Sequence, residues 1–194
     1  MMTDEDSFEP ASGQFNDWPG LGRVCRLGLA TRGNTSLEPD DVEHAVDCGV
    51  NYLNWCRHAD GLQELIRQSG RRREDVRVAV QFFARTASGA RDELAECLEQ
   101  LGTDYLDVLT YYYVESEAEW KQIISADGAA EVVDAARADG VVRSVGLTSH
   151  QRDLAAEPGH PHAANPARAA GSDGVARPPA QEAAEKEHED ARWG

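Results

Sequence analysis

From Leu21 onward the chain alternates two hydrophobic patterns. Short apolar runs, of the kind buried on both faces, are separated by stretches whose apolar residues recur every three to four positions. "RVCRLGLAT" (23–31) predicts a first strand. "SLEPDDVEHAVDCGVN" predicts a helix, with acids near its start, a stripe of Val42, Ala45 and Val46, and Gly49 past its end. "NYLNW" predicts a second strand. "DGLQELIRQSG" predicts a second helix, with Leu62, Leu65 and Ile66 on one face and Gly70 as its stop. The β-branched and aromatic run 76–83 predicts a third strand. "SGARDELAECLEQLG" predicts a helix with Ser88 as N-cap, a buried stripe of Leu94, Cys97, Leu98 and Leu101, and Gly102 at its end. A fourth strand is predicted over 105–113, a helix over 128–140 and a fifth strand over 141–149, after which "HQRDLAAE" begins another helix.

Strict alternation of strands and helices implies right-handed βαβ units and a parallel sheet. Successive strands begin roughly 25 to 37 residues apart, as crossover connections require. Five such units fit either a doubly wound sheet or part of an eight-fold barrel. "GLGRVCRLG" is not a dinucleotide fingerprint, because it precedes a strand and lacks the third glycine at the right offset.

The ends read differently. Residues 1–20 are acidic and polar, with Pro10 and Pro19, and predict a disordered leader. The pattern stops near Glu157. Residues 158–194 contain no Leu, Ile, Phe or Met and predict a disordered tail. His160, His162 and His188 in that tail read as solvated loop residues, and no metal site is expected. The ordered domain is therefore expected over 21–157.

The formal net charge of −16 excludes the usual nucleic-acid binder, which needs clustered Lys and Arg. The one dense basic run, "RRRED" at 71–75, is followed at once by acids and reads as a solvated loop. Cys25, Cys48 and Cys97 occupy apolar-pattern positions and read as small core residues, while Cys56 lies where a loop leaves a strand. No C-x-x-C pair, signal peptide or membrane-spanning run is present, so a cytoplasmic chain with reduced thiols is expected.

Five blocks, in order, resemble one family. "LGLAT" opens its first strand. "DDVEHAVDCGVNYLNW" resembles the helix and strand that aldo/keto reductases write as A-x-x-x-G-[IV]-N-[FY]-x-D-T-A. "RREDVRVAVQ" resembles R-E-x-[IV]-x-[IL]-A-T-K. "LAECLEQLGTDYLDVLTYYY" resembles L-E-x-S-L-x-R-L-G-T-D-Y-[IL]-D-L-[LY]-x-x-H, the most specific block, and "ADGVVRSVGLTSH" resembles G-K-[IV]-R-x-[IL]-G-[VL]-S-N-[FH]. The resemblance implies a (β/α)8 barrel, here a partial one of about five βα units. It further implies NADPH-dependent reduction of a small carbonyl substrate.

In that family a Tyr donates the proton, and an Asp, a Lys and a His tune it. A phenol with a pKa of about 10 must become a usable acid near neutrality, and a neighbouring ammonium lowers it. Carried over by position, the Asp is Asn54, the Lys is Gln81 and the His is Tyr112; the Tyr falls near Ala59 or Asp60, where there is no phenol. Asn54 and Gln81 are neutral amides able to pair where an ion pair would otherwise sit. Tyr112 and His58 are the candidate substitute acids, against the plainer reading of Tyr111, Tyr112 and Tyr113 as alternating strand residues and His58 as a surface residue. Asp107, charged within an apolar strand, reads as a satisfied structural carboxylate. For NADP binding, Thr148 and Ser149 stand in "GLTSH" where the family has Ser and Asn on the nicotinamide amide.

Three functions follow. The chain is an oxidoreductase with altered catalytic residues, a non-catalytic binding or regulatory protein on the same fold, or a truncated product whose reading frame shifts near Pro158. The substituted tetrad and missing cofactor loops favour the last two.

Overall fold

The computed structural model describes residues 13–31 and 36–151. Its centre is a five-stranded parallel sheet: β3 (Gly28–Ala30), β4 (Tyr52–Trp55), β5 (Arg77–Phe82), β6 (Leu106–Tyr111) and β7 (Val142–Leu147), adjacent in chain order. Helices α1 (Pro39–Asp47), α2 (Gly61–Gln68), α3 (Ala87–Leu101) and α5 (Ala129–Ala138) fill the connections, with a short α4 (Glu117–Ile123) before α5. This is the partial α/β barrel wall that the sequence predicts.

Two-residue periodicity sorts the strand side chains. Leu53, Trp55, Val78, Val80, Phe82, Leu109 and Tyr111 share one buried core with the helix residues Val42, Leu62, Ile66, Leu94, Cys97 and Val133. Tyr52, Asn54, Gln81, Val108 and Thr110, alternating with them, are only half-buried and form the opposite face. The helices end where their sequences dictate. Gly102 closes α3 at φ 60°, a left-handed conformation glycine adopts without strain.

Several expectations are corrected. Residues 13–20 are ordered: β1 (Phe15–Trp18) pairs antiparallel with β2 (Gly22–Cys25) in a hairpin. The predicted strand 23–31 is therefore two elements, β2 of the hairpin and β3 of the main sheet. The hairpin is fastened across the N-terminal ends of β4 and β5, a tie that short polar strands cannot advertise. Asn51 accepts from the Cys25 amide at 2.7 Å and donates to the Arg23 carbonyl at 3.0 Å, and Arg77 Nε donates to the Leu21 carbonyl at 2.5 Å. The N-cap of α3 is Thr86, whose hydroxyl accepts from Gly89, and not Ser88. Cys25 and Cys97 are buried, but Cys48 is half-buried at the end of α1, its sulfur 3.7 Å from His44 Nε2; none of the four cysteines forms a disulfide.

"RRRED" is a 3-10 turn over Gly70–Glu74. It is no fully solvated loop, because Arg73 is buried and donates to Asp107 at 2.8 Å. Asp107 also accepts from the Val78 amide at 2.9 Å and from Arg143 at 2.9 Å, so its carboxylate is satisfied as expected. The predicted leader residues 1–12, most of the helix begun by "HQRDLAAE" and the tail 158–194 lie outside the described residues. No helix among the described residues is long and apolar enough to cross a membrane.

Candidate functional site

The carboxyl ends of the parallel strands bring the singled-out residues to one rim. Asn54, next to last in β4, stands in register with Ala30 and Ala79. Gln81, next to last in β5, stands in register with Thr110, which faces Gly146 of β7. Tyr112 follows the last residue of β6, and its amide donates to the Phe82 carbonyl at 2.9 Å. By strand alternation Asn54, Gln81 and Tyr112 belong to the face away from the helices. They share a face but not a bond. Asn54 pairs with Ala79, two residues before Gln81, so the amides are diagonal neighbours, and no hydrogen bond between their side chains occurs among the described residues.

The other candidates are placed as follows. Thr148 Oγ1 accepts from the Tyr113 amide at 2.9 Å and so ties the end of β7 to the end of β6, while Ser149 Oγ accepts from the Gln151 amide at 2.9 Å within its own turn. His58 is exposed on the loop after β4, its carbonyl taken by Trp55 Nε1 at 2.7 Å. Asp60 is the N-cap of α2, accepting from Gln63. Tyr111 is buried against Phe82 and Trp120, and burial pushes its phenol well above its ordinary value. Tyr113 is exposed with φ 48°. The three tyrosines thus do not continue one alternating strand, because β6 ends at Tyr111.

The rim is held by carboxylates that the sequence reading missed. Glu93 of α3 is buried. It accepts from the amides of Phe83 at 2.9 Å and Ala84 at 2.6 Å, and it pairs with Arg57, which also reaches Glu96 at 2.7 Å. Glu93 thereby ties the loop after β4 to the loop after β5. Its signal in the sequence was a charge on the apolar stripe between Ala90 and Cys97. Arg85 pairs with Glu119 at 2.8 Å and donates to the Tyr112 carbonyl at 2.6 Å. Burial pushes the Glu119 carboxyl up, but the Glu115 amide and the Arg85 guanidinium outweigh it and hold Glu119 below the usual range. The chain has two lysines, Lys121 and Lys186. Lys121 lies on the exposed side of α4, paired with Glu117 at 2.7 Å. Among the described residues no group of three potential metal ligands occurs.

A cleft of about 780 Å³ opens between the hairpin and the half-buried face of the sheet, lined by Trp18, Leu21, Val24, Tyr52, Val108, Thr110 and Ser144. It does not include Asn54, Gln81 or Tyr112.

The sequence pattern of the Aldo/keto reductase family matches residues 26–160, more than half of the chain. The chain belongs to the aldo/keto reductase family. Its fold is similar to that of an aldo/keto reductase from Brucella melitensis, with 18% identity and a TM-score of 0.57 over 72% of this chain and 56% of the other. It is also similar to an aldo-keto reductase from Klebsiella pneumoniae solved in complex with NADPH, with 19% identity and a TM-score of 0.56 over 69% of this chain and 49% of the other. A Pseudomonas aeruginosa protein assigned to the aldo-keto reductases aligns at 15% identity and a TM-score of 0.60 over 76% of this chain and 63% of the other. The chain thus spans about half to two thirds of the length of these solved structures. No curated protein matches it.

Proposed function

We propose that this chain is a non-catalytic binding member of the aldo/keto reductase family. A nominal NAD(P)H-dependent carbonyl oxidoreductase, it does not carry the chemistry on its own residues. The observation that supports this is the pair Asn54 and Gln81. At the strand ends where the family's acid needs a carboxylate and an ammonium, the rim presents two neutral amides. A phenol is a weak acid near neutral pH unless a neighbouring ammonium lowers its pKa, and position 81 supplies an amide in place of that ammonium. The rim guanidiniums do not replace that cation, since Arg57 and Arg85 are each committed to carboxylates.

The nicotinamide site is altered as well: Thr148 and Ser149 keep hydroxyls where the family has Ser and Asn, so the Asn amide is lost. Thr148 Oγ1 accepts from the Tyr113 amide at the neighbouring strand end, and Ser149 Oγ from the Gln151 amide. A cytoplasmic setting agrees with four cysteines outside any disulfide. The test is a steady-state assay of NADPH oxidation with small aldehydes and ketones, on the wild type and on the Asn54→Asp/Gln81→Lys double variant. Neither is expected to turn over above the blank. Turnover by the wild type would contradict the proposal, and turnover by the double variant alone would show that charge was all that was missing.

A further inference from the structure

The rim carries a row of rings that the family chemistry does not use. Phe83 lies 5.0 Å from Tyr112, Tyr112 stacks on Tyr113 at 3.9 Å, and the His150 imidazole covers Tyr113 at 4.8 Å. Phe83 is 48% exposed and Tyr113 is 44% exposed, far more than rings that serve a core. They are nonetheless held firmly. Glu93 binds the Phe83 amide, and Thr148 Oγ1 binds the Tyr113 amide. Tyr113 sits at φ 48°, a conformation that only a few per cent of non-glycine residues adopt.

The charges around the rings are unbalanced. Among the described residues, four carboxylates (Glu93, Glu96, Glu115 and Glu119) face two guanidiniums. Arg57 is taken by Glu93 and Glu96, and Arg85 by Glu119. Among the described residues the Glu115 carboxylate meets only His150, whose Nδ1 lies 3.2 Å and whose amide lies 3.0 Å from Oε1. An imidazole is not a fixed cation at neutral pH. Glu115 Oε2 has no hydrogen-bond partner among the described residues. The rings already attract positive groups, since the Arg57 guanidinium sits over Phe83 at 5.8 Å.

We propose that Tyr112, Tyr113 and Glu115 form a binding site for an organic ammonium ion, with the exposed His150 ring as its displaceable cover. The proposal rests on the reading of this chain as a binding protein and names the ligand class for that rim. The ammonium takes the face of Tyr113 that His150 leaves, and Glu115 is its counter-ion. Ring faces recognise the cation by its charge, and the carboxylate excludes anions.

The test is an NMR titration of the full chain with choline chloride, against its neutral isostere 3,3-dimethylbutan-1-ol, at constant ionic strength. Choline should give saturable shifts of tyrosine ring protons, and the neutral alcohol should bind at least about tenfold more weakly. Tyr113→Phe should retain binding. Tyr113→Gly, which suits the positive φ and so keeps the fold, should weaken it about tenfold or more, as should Glu115→Gln. His150→Ala should tighten it by removing the cover. Equal binding of choline and the alcohol, indifference to Tyr113→Gly, or no saturation in either the wild type or His150→Ala would overturn the proposal. Carbonyl turnover together with selective choline binding would sink the non-catalytic reading and leave this site standing.

Discussion

The Arg73 guanidinium donates to the Asp107 carboxylate at 2.8 Å, and both side chains are buried. Arg143 reaches the other carboxylate oxygen, and both guanidiniums lie over the Tyr105 ring, at 4.1 and 4.0 Å. One carboxylate therefore joins the turn before β5 to β6 and β7. Removing one partner of a buried pair leaves the other charge unpaired, at a cost of about 3–5 kcal/mol. Asp107→Ala should lose that much in urea unfolding, and Arg143→Ala much less, because Arg143 is partly exposed.

Glu93 should behave as a clamp on the rim. Glu93→Ala leaves the Phe83 and Ala84 amides without their carboxylate and Arg57 with Glu96 alone. Each unsatisfied group costs about 1–3 kcal/mol. Amide hydrogen exchange at Phe83 and Ala84 should accelerate by at least about tenfold relative to the centre of β5, which marks a local loss of order.

The hairpin should detach when its tie is cut. Asn51→Ala removes the bonds to Cys25 and Arg23. At about 1 kcal/mol per neutral hydrogen bond, the loss is about 2 kcal/mol. Limited proteolysis should then cut within residues 13–25 before it cuts the main sheet.

The alternation of strands and helices was legible because each element buries one face. Leu62, Leu65 and Ile66 recur at helical spacing, and the apolar strands 76–83 and 105–113 fit burial between layers. The hairpin was not legible, since "FNDW" and "GRVC" are short and are fixed by Asn51 and Arg77, far along the chain. α4 was missed although Ser116 and Glu119 carry a helix-start signal: the Ser116 hydroxyl accepts from the Glu119 amide at 3.2 Å. The Arg73 to Asp107 pair spans 34 residues, a distance no local pattern encodes. At the site, the residue types at positions 54, 81 and 112 were legible, but the commitments of Arg57, Arg85, Thr148 and Ser149 to their neighbours needed coordinates.

Cys97 should report the integrity of the core. Burial, the largest cause, pushes its thiol up from 9.0 to about 11, with Arg57 opposing and Glu93 and Glu96 reinforcing. The folded chain thus keeps the proton longer than the unfolded chain. This contribution to stability is present in full below about pH 9 and is lost as pH rises toward about 11. Thiol labelling at pH 8 should modify Cys48 and Cys56 quickly, and Cys25 and Cys97 only on unfolding.

On the proposed reading, the family's fold persists here without its cofactor chemistry. Fluorescence titration of the full chain with NADPH tests it most directly. No saturable binding is expected up to about 1 mM cofactor, a concentration at which a Kd in the micromolar range would give full occupancy. Saturable binding at micromolar NADPH would contradict it and restore the oxidoreductase reading.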